Sequence, residues 1–452
     1  MTDTLRKSRT THSEETPVDN DGGRDFVTLL PLRLYPDPGR TVVRPFVPAD
    51  PDDFADPERP RATRIVERVL ALDEENFSAE LKAAWDSLDQ RHRDVKLRLL
   101  QRFDQIANYV PDAANVCVER RLLIAAYLSA EYSYEAAALF NPSIVPHPEQ
   151  GEGDDTRFIL SLRGIGEGHM SSVTFRTGIW RESGEVELDT PSPVSVAPIV
   201  GEPQGWNDDE TIQLDCHGSR DPSETVLFPI VESQSRGLED LRLTPFSLPD
   251  SPNSYLGTFT ALGDKGVRQE MLKTEDFRSF KMHPVRGELA GAKGLAIFPR
   301  KVGDDYLAIS RHDGENLWLA TSDDLFSWKA RSKLMGPEYP WEIIQIGNCG
   351  SPIEIDEGWL VLTHGVGVVR NYVMGAALLD RDDPSRVIAR LAEPLLEPGK
   401  DDRDGYVPNV VYSCGALVRG RTMLLPYAVA DEFTRFCLVD LDGLVGAMAP
   451  VA

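Results

Sequence analysis

One two-strand unit recurs from residue 157 onward, and it constrains the fold more than any other feature of the chain. Its clearest copy is 305-DYLAISRHDGENLWLATSDDLFSW-328: an alternating apolar run, a polar turn, a second such run, then an acidic turn and an aromatic residue. The segment 254-SYLGTFTALGDKGVRQEMLKTEDFRSF-280 has the same layout. Further copies lie at 358–387 and 421–445, with a weaker one at 157–180, making five. Corresponding turns are spaced by roughly 50 to 60 residues, the range of a four-stranded propeller blade. The expected fold is mostly β, a five-bladed β-propeller over residues 139–452. A sandwich or barrel would not repeat one hairpin that ends in the same turn.

The text before the repeats is different. Residues 1–24 are polar and charged without periodicity, which predicts a disordered tail. Residues 25–59 hold short β-prone runs broken by Pro and Gly, which fit a strand that enters or closes a later sheet. Over 60–138 the apolar residues fall at three- and four-residue steps: Ile65, Val69 and Leu72; Leu81, Trp85 and Leu88; Val95, Leu99, Phe103 and Ile106. That pattern predicts an N-terminal helical segment of about four helices, the last running through 116-VCVERRLLIAAYLSAEYSYEAAAL-139.

Composition removes whole classes of function. A net charge of −25 leaves no concentrated Lys/Arg surface for nucleic acid or an anionic membrane. No run approaches the length of a membrane span, and the N-terminus has no apolar leader, so the expected location is the cytoplasm. Five widely spaced cysteines without a C-x-x-C motif argue for buried thiols rather than disulfides or zinc. No metal is expected.

In a propeller the innermost strand of each blade lines a central channel, so polar residues near those strands converge. They are Asn141, Arg163, Glu167 and His169 in the first copy; Glu239, Asp240 and Arg242 in the second; Lys293, Arg300, Arg311 and Asp313 in the third; Glu354, His364, Arg370 and Tyr372 in the fourth; Asn409 and Asp431 in the fifth. Carboxylates and Asn bind sugar hydroxyls, and Arg, Lys, His and Tyr together hold an oxyanion. Asp323, Asp324, Asp382 and Asp383 are read as turn residues instead.

The succession GLEDLRL, KGLAIFPR, SRHDGEN to SDDLFSW, GNCGSPIEIDEGWLVLTHGV, YVMGAALLDRDDPSRVI and GYVPNVVYSCG resembles glycoside hydrolase family 130, the β-mannoside phosphorylases and β-mannosidases. The resemblance implies an inverting phosphorylase that cleaves a β-linked manno-oligosaccharide with inorganic phosphate as co-substrate, giving α-mannose 1-phosphate without a cofactor. It places the general acid on Asp240, donating through the mannose 3-hydroxyl, and phosphate on Lys293, Arg311, His364 and Tyr372. Sugar contacts fall on Asn141, Arg163 and Asp431. The first basic position, often Arg in the family, is Lys293. A further Lys used by some members is replaced within the apolar run WEIIQ. Hydrolysis on the same site and a non-catalytic sugar-binding propeller are the alternatives, and a homo-oligomer is allowed for. Strand alternation would turn only one of Glu239 and Asp240 to the channel, leaving Glu239 inside the blade, paired with an Arg.

Overall fold

The computed structural model describes residues 24–201, 210–248, 251–400 and 403–451. The tail expected to be disordered therefore lies almost wholly outside the described residues. Helices α1 (Arg61–Leu70), α2 (Glu74–Leu88), α3 (Val95–Ile106) and α4 (Val118–Tyr127) come first. The rest is mostly β. Among the described residues there are one sheet of eleven strands, three of five, five and six, and a two-stranded ribbon.

The helix expected over 116–139 stops at Tyr127. The next residues alternate: Tyr132 and Tyr134 are buried while Glu131 and Ser133 are half-buried. Period two is a strand signal, and Ser129–Ser133 pairs antiparallel with Thr41–Pro45 to form the ribbon. The four helices bury Val66, Leu99, Phe103, Leu123 and Ile124 against one another in a core of their own. Glu135, fully buried, is held between Arg176 at 2.5 Å and Arg40 at 3.3 Å, which ties the end of the ribbon to the large sheet. Removing one member would strand an uncompensated charge.

Each repeated unit is an antiparallel hairpin: Thr156–Ile165 with Ser171–Trp180, Ser251–Gly263 with Gly266–Thr274, Tyr306–Arg311 with Leu317–Ser322, Gly358–Val366 with Tyr372–Leu379, and Thr422–Val429 with Phe433–Asp440. An inner strand precedes each: Ala138–Pro146, Gly237–Leu248, Lys293–Ile297, Gln345–Asn348 and Val411–Tyr412. The eleven-stranded sheet holds two of these meanders, joined through the single parallel pairing of Gly237 with Ser171. The N-terminal strand Val27–Leu34 pairs with Phe433–Asp440, so the chain's first strand completes its last sheet.

Apolar residues fill the spaces between successive meanders. Phe175 and Phe259 pack between the first two, Leu256 and Ala308 between the second and third, Ile309 and Val361 between the third and fourth. Leu362 and Leu425 join the fourth to the fifth, and Leu424 with Leu160 joins the fifth back to the first. At roughly 25 cal/mol per Å² of apolar surface these faces hold the sheets together. No helix among the described residues is long and apolar enough to cross a membrane.

Candidate active site

Three of the five inner strands carry a residue in left-handed backbone near their start, Asn141 (φ 48°), Asp240 (φ 54°) and Gly294 (φ 79°), and Val411–Tyr412 is preceded by one, Asn409 (φ 61°). Gly, Asn and Asp are the residues that tolerate this region. Three coincide with breaks in register, between Phe140 and Ser143, Glu239 and Arg242, and Lys293 and Ala296. A bulge of this kind re-aims the side chains it carries. On the neighbouring strand, the residues paired beside the three register breaks are Arg163, Thr260 and Arg311, whereas His364 pairs with Gly347 in an unbroken register. Arg163 and Arg311 thus occupy one register position in two meanders, whereas the left-handed counterparts of Asp240 are Asn141, Gly294 and Asn409.

These residues meet at two adjoining centres. At the first, Asn141 Nδ2 donates to Asp240 Oδ1 at 2.7 Å. Arg163 donates from Nη2 to Glu239 Oε1 at 2.6 Å and from Nη1 to Asp240 Oδ1 at 3.5 Å, with its guanidinium over the Phe140 ring at 5.2 Å. Arg242, buried, lies beneath: its Nη1 donates to the Asp240 carbonyl at 2.9 Å and its Nη2 to the Tyr412 hydroxyl at 2.8 Å. The alternation argument therefore fails for Glu239 and Asp240. The left-handed turn at Asp240 brings both carboxylates to Arg163, and Glu239 also faces Lys293 Nζ at 3.5 Å. Glu239 is paired with an Arg, but at the site rather than inside the sheet.

At the second centre Lys293, Arg311, Gln345 and Tyr372 line a cavity of about 290 Å³ with Gly291, Ala292, His312 and Gly314. His364 sits behind it, buried, with Nε2 at 3.3 Å from Arg311 Nη1 and Nδ1 at 3.1 Å from the Asn348 carbonyl. Its ring stacks on Tyr372 with centroids 6.0 Å apart. Gln345 falls in the run read as apolar. With its amide turned to donate to the Gly314 carbonyl at 3.2 Å, its oxygen accepts from Arg311.

Burial pushes the Asp240 carboxyl up, but Arg163, Arg242, the Asn141 hydrogen bond and Lys293 outweigh it and hold the group below the usual range. Asp431 is pushed the other way, to about 7, by burial and then by the charge of Asp240. It sits in left-handed backbone at φ 50° with Oδ1 buried and unpartnered among the described residues. Burial, followed by the nearby Arg311 and Arg242 charges, keeps His364 well below its ordinary value, hence neutral. Since Nδ1 must donate to the Asn348 carbonyl, Nε2 presents a lone pair toward Arg311.

Other sequence candidates are engaged elsewhere. Glu354 pairs with Arg300 at 2.6 Å, with Arg300 over Trp359. Asp313 closes its own turn, accepting from Asn316 N at 2.8 Å and from the Trp318 indole at 2.7 Å. Glu167 and His169 lie on an exposed turn, and Arg370 stacks on Tyr372. Asp324 serves its turn, as its place in Asp-Asp suggested, accepting from Phe326 N and Ser327 N at 2.8 Å each. Sequence reasoning missed Tyr412 and Gln345. Position was the available signal, since each lies on an inner strand that also carries a selected residue or motif.

A family model described as beta-1,4-mannooligosaccharide phosphorylase matches residues 217–449. The chain is 35% identical over 222 residues to a beta-1,2-mannobiose phosphorylase of Listeria innocua, covering 47% of this chain and 60% of that protein. It is 36% identical to a beta-1,2-mannobiose phosphorylase of Thermoanaerobacter sp. strain X514, covering 48% and 71% respectively. A 1,2-beta-oligomannan phosphorylase of the same strain is 31% identical, with 47% and 71% covered. Among solved structures, one reported with glycoside hydrolases that target beta-1,2 mannosidic linkages in Candida mannan superposes with TM-score 0.52 at 18% identity, covering 69% of this chain and 87% of that one. That last likeness concerns the fold.

Proposed function

Because the chain belongs to glycoside hydrolase family 130, we propose that it is an inverting β-mannoside phosphorylase with Asp240 as general acid, releasing α-mannose 1-phosphate from a β-linked manno-oligosaccharide. The observation that carries this reading is the composition of the second cavity. Its lining holds Lys293, Arg311, Gln345 and Tyr372 and no carboxylate. Inversion by water needs a second carboxylate about 6.5–9.5 Å from the acid to activate the nucleophile. Inversion by phosphate needs a cationic cradle, because only charge-assisted hydrogen bonds offset the desolvation of a dianion.

The sugar lies over the first centre, held by Asn141, Arg163 and Asp431. Phosphate enters beside it on Lys293, Arg311, His364 and Tyr372. Its charge weakens the hold that Lys293 exerts on Asp240, so the acid gains its proton as the nucleophile arrives. Asp240 then protonates the departing oxygen through the mannose 3-hydroxyl while phosphate attacks the opposite face of the anomeric carbon. The five meanders, the five apolar interfaces between them and the closing N-terminal strand support a five-bladed propeller, with the helical segment attached outside it. A reaction that consumes phosphate and yields a charged sugar suits the cytoplasm.

The test is incubation with β-1,2- and β-1,4-mannobiose, with and without phosphate. Mannose 1-phosphate formed only with phosphate is the expected result. Free mannose at the same rate in both would make the protein a hydrolase, and binding without turnover would make it a sugar-binding propeller.

A further inference from the structure

His169 Nδ1 lies 2.6 Å from the Tyr406 hydroxyl, and their rings are 5.8 Å apart. The two residues are 237 positions apart in sequence, and neither has a part in the chemistry above. His169 lies on the turn that follows the strand of Arg163, four residues beyond the end of that strand. Tyr406 lies on the segment leading to Asn409 and is fixed beside the turn of Asp431, since the next residue, Val407, donates from N to the Ala430 carbonyl at 2.8 Å. Their contact therefore bridges the first and fifth meanders, on segments that also carry Arg163 and Asp431. The cavity with Lys293, Arg311 and Tyr372 is lined by residues of the third and fourth meanders and by none of the first or fifth.

The His169 turn is built to stay in place. Gly168 (φ 72°) and His169 (φ 59°) both take left-handed backbone. Tyr132, on the ribbon that leads out of the helical segment, donates its hydroxyl to the carbonyls of Glu167 and Met170 at 3.2 Å each. Gly166 is pressed so close that a Cβ there would come within 2.3 Å of the Ser133 carbonyl and 2.4 Å of the Tyr132 hydroxyl. Yet the two side chains so positioned remain open, with Tyr406 45% exposed and His169 exposed. The contact between them leaves the imidazole Nε2 and a phenol lone pair to engage hydroxyls, and the Tyr face to pack against a sugar ring.

An inverting displacement puts nucleophile and leaving group on opposite sides of the anomeric carbon. With phosphate in the third and fourth meanders, the departing sugar leaves toward the first and fifth. We propose that His169 and Tyr406 form the binding edge for the leaving sugar, held in position by the Tyr132 ribbon of the helical segment, and so select the acceptor in the reverse reaction. This rests on the phosphorylase reading. His169 precedes the family-matched residues 217–449 and Tyr406 lies within them, so this edge joins the chain's N-terminal part to the matched part.

The experiment runs the reaction in the direction of synthesis, from α-mannose 1-phosphate and mannose, and measures the KM of each. His169→Ala and Tyr406→Phe should each raise the KM for mannose by about five- to tenfold, the worth of one or two hydrogen bonds, with the KM for mannose 1-phosphate unchanged. Tyr132→Phe keeps the packed ring and should move the mannose KM in the same direction by less. An unchanged mannose KM in the first two variants overturns the proposal, as does an equal rise in both constants. A wild-type chain that makes no product in either direction overturns the phosphorylase reading first, and the acceptor edge with it.

Discussion

Asn141 donates to Asp240 Oδ1 across 2.7 Å, and both residues hold left-handed backbone on bulges of adjacent inner strands. Each bulge turns its side chain out of strand alternation toward the other. The acid is thus fixed by backbone shape as much as by its ion pairs, which allows a clean test of its proton. Asp240→Asn keeps a residue that tolerates φ 54° and keeps an oxygen to accept from Asn141. Only the acidic group is lost. Mannose 1-phosphate release should fall by about a hundredfold or more, with an unchanged melting profile, and a fully active Asp240→Asn protein would remove Asp240 from the role of acid.

Asp431 makes a prediction about stability. Its carboxyl, raised to about 7 in the folded protein from 3.8, binds a proton more tightly folded than unfolded. Its contribution to stability is therefore fully present at low pH and declines as pH rises from near 4 toward 7, where the half-buried group must ionise. Asn at this position is neutral throughout and tolerates the same backbone. The Tm of Asp431→Asn relative to wild type should rise over that interval and level off above it. A difference independent of pH would mean that Asp431 ionises as readily in the folded state as in the unfolded chain.

The hairpins were legible in the sequence because each alternates with period two and ends in turn residues, signals that local physics writes residue by residue. Arg311 and His364 were singled out because each lies inside or beside an otherwise apolar strand, and Lys293 through the resemblance; the structure brings Lys293 and Arg311 to one cavity with His364 behind it. Glu239 and Asp240 were misread because the argument assumed extended backbone, and a single left-handed residue cancels the alternation. The end of α4 was missed because LSAEYSYEAAAL satisfies a helical count, while the pairing that makes a strand of Ser129–Ser133 comes from Thr41–Pro45, far earlier in the chain. Tyr412 was passed over because its importance lies in the hydroxyl's contact with Arg242, 170 positions away, which its place on an inner strand does not announce.

Phosphate binding should take up protons. In the free protein Asp240 is held ionised, against burial, by Arg163, Arg242 and Lys293, and His364 is held neutral by burial and then by Arg311 and Arg242. A dianion placed on Lys293 and Arg311 offsets that positive charge, so both groups bind protons more readily. Calorimetric titration with inorganic phosphate near neutral pH, in buffers of different ionisation enthalpy, should show net proton uptake, reduced in the Asp240→Asn protein. Heats that do not depend on the buffer would count against this coupling.

Gly347 offers a way to disturb the cradle without touching its charges. It pairs across the sheet with His364, and a Cβ there would lie 2.5 Å from His364 Cε1 and 2.8 Å from Arg311 Cδ. Real Cβ contacts are not that close, so one or both side chains must move. Arg311 has the freer stem, and its shift would break the contact with His364 Nε2 at 3.3 Å and displace the guanidinium in the cavity. Gly347→Ala should therefore raise the KM for phosphate by about tenfold or more, the worth of a charge-assisted hydrogen bond, while the KM for the mannoside changes little. Equal losses for both substrates would show that the crowding spreads to the Asp240 centre. An unaltered phosphate KM would show that Arg311 does not hold phosphate.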